Sequence, residues 1–174
     1  MQEAIEKMEA TAGLPIRWHL IGNLQSNKAR RAGARFDTIH SVDGLDLADK
    51  LERAAAETGR VLEMLVQVDL SGEPTKHGAR EDKLDGILEA ARGWRAARLT
   101  GLMLLPPAVD DPEDARYYFR ALLAVRERLL ARGMDGSMLT ELSMGMSHDF
   151  EVAVEEGATL IRVGTAIFGS RTHV

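Results

Sequence analysis

Short β-rich runs and helical stretches alternate along this chain without interruption, and that alternation constrains the fold more than any other feature. The runs at 17–22, 37–42, 62–70, 98–104, 138–143 and 159–163 carry the apolar and β-branched residues of strands. Between them lie helical segments at about 25–34, 45–58, 81–92 and 112–133; another, from Gln2 to about Ala12, opens the chain. Gly59 can stop the helix before it, and Gly133 ends the longest one. Asp111 and Pro112 suit the N-cap and first position of that long helix, whose apolar positions Ala115, Phe119, Leu122, Leu129 and Leu130 share one face. Ser147 is expected to cap a short helix, with Asp149 and Glu151 placed against its N-terminal dipole.

Strict alternation means parallel strands joined by right-handed crossovers, which leaves an open doubly wound sheet or a (β/α)8 barrel. The run 62–70 decides between them. One parity is apolar (Leu62, Met64, Val66, Val68, Leu70), while the other includes Glu63, Gln67 and Asp69. A strand sandwiched between two helical layers should be apolar on both parities; polar groups on one side suit a barrel interior near its mouth. No GxGxxG turn follows the first strand either. The expected fold is therefore α/β, a TIM-type (β/α) barrel. A closed barrel needs eight strands and typically ~250 residues. Six strands in 174 residues predict about six of the eight βα units, with two absent from the front, in one incomplete domain spanning 1–174. Its end strands, 17–22 and 159–163, would then be open edges inviting self-association, and Gln67 and Asp69 would meet water.

Composition removes several functions. With 22 Lys+Arg against 27 Asp+Glu, a net charge of −5 disfavours a general nucleic-acid binder. The absence of cysteine removes disulfides, thiolate metal sites and thiol nucleophiles. The opening MQEAIEKMEA does not read as a secretory leader, and no apolar run approaches the ~20 residues of a membrane span, so a cytoplasmic protein is expected.

In a barrel, chemistry gathers at the C-terminal ends of strands, with a phosphate site common after strands seven and eight. Those strands would be the fifth and sixth here, ending in Ser143-Met144-Gly145-Met146-Ser147 and Arg162-Val163-Gly164-Thr165. Both offer glycines that let backbone N–H groups approach, and hydroxyls, and Ser147 adds a helix start. Arg162, flanked by Ile161 and Val163, either enters the mouth or forms an ion pair with Asp69 or another interior acid. His19 reads as a core or mouth residue before a catalyst, and His77 and His148 lack metal-ligand spacing. Met103, Met134, Met138, Met144 and Met146 read as packing, although the last two flank the proposed phosphate loop.

Five blocks carry a resemblance: WHLIGNLQSNK (18–28), VQVDLSGEPTKHG (66–78), GLMLLPP (101–107), LSMGMSHDFEVAVEEGAT (142–159) and IRVGTAIFG (161–169). In order and spacing they resemble the pyridoxal phosphate homeostasis protein family, small proteins similar to the N-terminal barrel of alanine racemase. The resemblance implies a non-catalytic protein that binds pyridoxal 5′-phosphate (PLP), buffers it and delivers it to PLP-dependent apoenzymes. It implies that Ser143, Ser147, Gly164 and Thr165 surround the phosphate and that Arg162 faces the pyridine nitrogen; Gly145, in the loop between the two serines, is counted with them as cofactor-binding. The family's Schiff-base lysine lies on the first barrel strand, before a GEN segment, and neither is found here. Lys7, Lys50 and Lys83 fall on helices, Lys28 just after a strand and Lys76 in a loop. A racemase-like PLP enzyme is the alternative reading. It would need a tyrosine-type acid/base at the mouth, and both tyrosines, Tyr117 and Tyr118, fall on the long helix.

Overall fold

A computed structural model of the chain describes residues 2–70 and 77–169. Lys76 and the rest of the loop 71–76 lie outside the described residues. The strands are β1 (His19–Leu20), β2 (Thr38–Val42), β3 (Leu62–Gln67), β4 (Ala97–Met103), β5 (Glu141–Met146) and β6 (Leu160–Arg162). The helices are α1 (Gln2–Ala10), α2 (Ala29–Gly33), α3 (Leu45–Thr58), α4 (Glu81–Ala91), α5 (Arg116–Ala131), α6 (Phe150–Glu155) and α7 (Thr165–Phe168).

All six strands pair in parallel, and their order across the sheet is their order in the chain. A doubly wound sheet reverses direction at a switch point; this one winds one way only, as a barrel does. The sheet is also strongly curled. His40 on β2 lies within 2.8 Å of Ser143 on β5, yet three strand spacings in a flat sheet amount to about 14 Å, beyond the combined reach of these two side chains. The architecture is thus a curled half-barrel, with helices on its convex side and polar groups inside.

The two parities of β3 show how the sequence produces that shape. Leu62, Met64 and Val66 are fully buried in the core formed with Leu51 of α3, with Leu84, Ile87 and Leu88 of α4, and with Phe119 and Leu122 of α5. Glu63, Leu65 and Gln67 face the concave side. Gln67 does not meet water as expected: it is 6% exposed, and its amide donates to the carbonyl of His77. The chain supplies that acceptor by folding back after β3, where Val68 bridges Ala79.

The helix signals hold at most boundaries. Gly59 adopts the left-handed conformation (φ +65°) that ends α3. Asp111 accepts from the Glu113 N–H, but the turn it caps, Pro112–Ala115, is 3-10, and the α-helix begins at Arg116. Two expectations need correction. The fifth strand begins three residues later than expected, because Asp135 caps a 3-10 turn over Gly136–Leu139 that consumes the apolar residues assigned to it. Ser147 does not cap α6: Asp149 holds the N-cap position, its carboxylate accepting from the Met146 N–H at 2.6 Å.

Candidate functional site

The ends of β5 and β6 lie side by side, since Met146 registers against Arg162. Gly145 makes the turn out of β5 possible. Its φ is +88°, and an added Cβ would sit 2.5 Å from the Ala153 side chain of α6. The turn carries Ser147 across to the neighbouring loop, where its Oγ accepts from the N–H groups of Gly164 (2.9 Å) and Ala166 (3.3 Å). Both oxygen lone pairs are thereby used, and the hydroxyl hydrogen remains to be donated. This explains why Ser147 caps no helix: it ties the two loops together instead.

Between those loops opens a groove of about 490 Å3, lined by Met146, Ser147, His148, Arg162, Gly164 and Thr165, with Phe168 and Gly169 at its rim. His148 is held by a hydrogen bond from Nε2 to the Asp110 carbonyl, 3.1 Å. Arg162 forms the back wall. It donates from Nη1 to Ser143 Oγ at 2.7 Å and from Nη2 to the Leu104 carbonyl at 2.8 Å, rather than pairing with Asp69. Its Nε is a buried donor with no partner among the described residues. Burial lowers its pKa to about 10, opposed by the charge of Asp149, and the guanidinium is cationic at neutral pH.

Four of the six residues singled out from sequence (Ser147, Arg162, Gly164 and Thr165) thus line one groove. Gly145 shapes it from behind. Ser143 does not line it: its side chain is fully buried beneath Arg162, where it also meets His40 Nδ1 at 2.8 Å.

His40 is the residue the sequence reasoning missed. Its other ring nitrogen lies 2.9 Å from His19 Nδ1. Desolvation lowers the His40 pKa to about 4, with His19 and Arg162 adding to the effect. Desolvation also lowers that of His19; Arg17 adds to the shift, while Glu63 and Asp37 oppose it. The signal was hidden by an irregularity in β2. Ile39 and Val42 both pack into the helix-facing core, which simple alternation forbids; counted back from Val42, alternation would put His40 on that face, whereas it lies opposite Ile39, on the concave side with Ser143.

Elsewhere at the mouth, Asn23 and His77 meet at 2.9 Å beside a second opening of about 230 Å3 that Gln67 and Asp69 also line. Among the described residues no group of three or more His, Cys, Asp or Glu is arranged to hold a metal ion. No helix among them is long and apolar enough to cross a membrane. Lys7, Lys50 and Lys83 pair with Glu3, Asp46 and Asp82 on their own helices, and Lys28 sits exposed in the 3-10 turn Ser26–Lys28. None of these lysines, and neither Tyr117 nor Tyr118, lines the groove.

Comparison with known proteins places this geometry among relatives. The family described as alanine racemase, N-terminal domain, matches residues 1–172. A pyridoxal phosphate homeostasis protein of Aquifex aeolicus is 41% identical over 173 residues, covering 99% of this chain and 75% of that protein. The structure of PipY from Synechococcus elongatus with PLP bound superposes with a TM-score of 0.87 at 41% identity, covering 97% of this chain and 78% of the other. An alanine racemase of Clostridium difficile shares the fold, with a TM-score of 0.74 at 17% identity over 99% of this chain and 46% of its own.

Proposed function

This chain belongs to the alanine racemase N-terminal domain family, and on that premise we propose that it binds pyridoxal 5′-phosphate in the groove between the β5–α6 and β6–α7 loops and serves cofactor homeostasis. The homeostasis proteins it is similar to, and PipY with its bound PLP, support that reading. The observation that carries it is the orphaned Nε–H of Arg162. A buried donor without an acceptor is costly, by about 1–3 kcal/mol. A pyridine nitrogen is an acceptor of the right kind to relieve that cost.

The remaining groups fit the other end of the cofactor. Ser147 has a hydroxyl hydrogen left to give, Thr165 brings a second hydroxyl, and Gly164 leaves room for a phosphate to approach the backbone. Gly145 sets the turn that presents Ser147. Ser143 acts from beneath by accepting from Arg162, which revises its expected place beside the phosphate.

When bound, PLP supplies an aldehyde and an electron-withdrawing ring. The protein's contribution is to limit that chemistry. A guanidinium stays protonated and can only donate, so the nitrogen facing Arg162 remains an acceptor and is not itself protonated. The ring is then a weaker electron sink than one paired with a carboxylic acid. That favours a carrier over an enzyme of broad amino-acid chemistry, and we extend the proposal to an intracellular, non-catalytic protein that gives PLP up to apoenzymes. The cysteine-free composition is in keeping with that compartment.

Equilibrium dialysis with PLP tests the reading. The wild type should bind saturably, with inorganic phosphate competing. Arg162→Ala and Ser147→Asp should each weaken binding at least tenfold, the first by removing the ring contact and the second by placing a carboxylate against the phosphate. Binding that is not saturable, or that neither substitution changes, would refute it.

A further inference from the structure

The contacts of Arg162, Ser143, His40 and His19 form one unbroken chain across the concave face, drawn from β6, β5, β2 and β1. The links measure 2.7 Å from Arg162 Nη1 to Ser143 Oγ, 2.8 Å from Ser143 Oγ to His40 Nδ1, and 2.9 Å from His40 Nε2 to His19 Nδ1. We propose that His40 is a positioning residue for the cofactor's ring nitrogen: by taking the Ser143 hydroxyl proton at Nδ1, it reserves the Ser143 lone pair for Arg162 and so fixes the guanidinium that faces the ring.

The direction of the chain follows from counting donors. The guanidinium has only donors, so Arg162 gives and Ser143 accepts. A serine hydroxyl has one hydrogen of its own. Among the described contacts of Ser143 Oγ, His40 Nδ1 is the group that can accept it. Nδ1 must then be unprotonated, which places the ring hydrogen of neutral His40 on Nε2, pointed at His19 Nδ1. Each atom at the three links is satisfied in this arrangement, and Arg162 Nε alone is left over, the donor that faces the ring. In the reverse arrangement, Ser143 would receive hydrogen bonds from both Arg162 and His40, and its own hydrogen would be left in the interior without an acceptor.

A histidine three strands away from the β5–β6 groove thus controls the guanidinium. If His40 is replaced by a side chain that cannot accept, the hydroxyl of Ser143 is free to rotate its hydrogen toward Nη1. Arg162 would then keep only the Leu104 carbonyl as an anchor. The phosphate end of the groove touches neither His40 nor Ser143, so the effect should be confined to the ring end. This assignment rests on the PLP reading above, and its test therefore has one arm that needs no ligand.

The first arm is a long-range 1H–15N correlation spectrum of the histidine rings in the ligand-free wild type near pH 7. It should show His40 neutral, with the hydrogen on Nε2; a hydrogen on Nδ1 would overturn the proposal. The second arm compares PLP with phenyl phosphate, which offers a phosphate and an aromatic ring but no ring nitrogen. His40→Phe should weaken PLP about tenfold and leave phenyl phosphate within about twofold. His40→Asn, whose Oδ1 can accept where Nδ1 did, should restore PLP binding toward wild type. Equal losses for both ligands, or no loss, would overturn the assignment. If the wild type binds neither ligand, the function reading fails and the tautomer alone decides the placement of the Ser143 proton. If His40→Phe does not fold, His40→Asn and the tautomer carry the test.

Discussion

The centre of the sheet and its edges are built by different means. In β2 all five residues are buried, and Met64 of β3 and Leu102 of β4 have no measurable exposure. At the edges β1 has two residues and β6 three, none of them buried, and Ile161 is 42% exposed. Yet β6 carries Arg162 and leads into Gly164 and Thr165. The groove is therefore mounted on one of the most weakly packed strands of the sheet. Besides its backbone pairing with β5, that strand is held by side-chain hydrogen bonds: Arg162 to Ser143 and Leu104, and Ser147 to the backbone of the β6–α7 loop. Apolar burial makes the half-barrel, and polar cross-links register the site upon it.

The largest test of that contrast is a pair of truncations. Met64→Ala should destabilise the protein by about 2–5 kcal/mol, as deletions in a closely packed core do. Ile161→Ala should change stability by less than about 1 kcal/mol, because its side chain already meets solvent. Urea denaturation of the two variants measures the difference. Similar losses at both positions would erase the distinction between centre and edge.

The polar cross-links have their own signature in pH. His40 has an ordinary histidine pKa when unfolded and one of about 4 when folded. The unfolded chain therefore binds the extra proton between these values, and stability falls as the pH drops from about 6.5 toward 4. His19, also lowered, contributes with the same sign. The groups acting on the pair are Arg17, Asp37, Glu63 and Arg162, besides one another. A shift of this size corresponds to about 3 kcal/mol for His40. Carboxylates such as Glu81 and Glu156, held below their usual range by hydrogen bonds from arginines, lose their contribution only at lower pH, as they protonate. Chemical denaturation at a series of pH values should show the slope in the wild type and a much shallower one in His40→Asn. An unchanged slope would show that His40 is not the titrating group.

Gly145 joins the two regimes, and Gly145→Ala should fall between the truncations. The new methyl would meet the Ala153 side chain and the Phe150 backbone, and φ of +88° strains any L side chain. A loss of about 2 kcal/mol is expected, with weaker PLP binding as Ser147 is displaced. Thermal unfolding and dialysis on the same preparation would separate the two effects.

How much of this was visible in the sequence divides along the same line. The alternation of strands and helices, the stop at Gly59 and the cap at Asp111 are local signals, and the structure keeps them. The half-barrel itself could be inferred from the polar parity of residues 62–70, because a face lined by Glu63 and Gln67 cannot lie against helices. The bend in β2 was not legible: nothing in TIHSV marks a register shift, and only pairing with β3 reveals that Ile39 and Val42 face the same way. His40 was missed for that reason. Ser147 was found but given the wrong task. A serine before a helix resembles a cap, and the choice between capping and cross-linking depends on a loop seventeen residues away.

The smallest expected effect concerns the edges themselves. β1 and β6 end the sheet, and exposed Ile161, Ile167 and Phe168 lie along the β6 side. Unpaired strand edges beside apolar side chains favour association between chains. Gel filtration over a range of concentrations should therefore show self-association of the 174-residue chain. Ile161→Lys should reduce it while shifting the melting temperature by only a few degrees, as expected for a stability change below about 1 kcal/mol. A charge on the strand leaves its backbone hydrogen bonds to β5 intact and makes edge-to-edge approach of two copies unfavourable. A strictly monomeric wild type would mean that two and three residues of strand are too short to template pairing. In that case the brevity of β1 and β6, rather than their chemistry, would be what keeps the edges quiet.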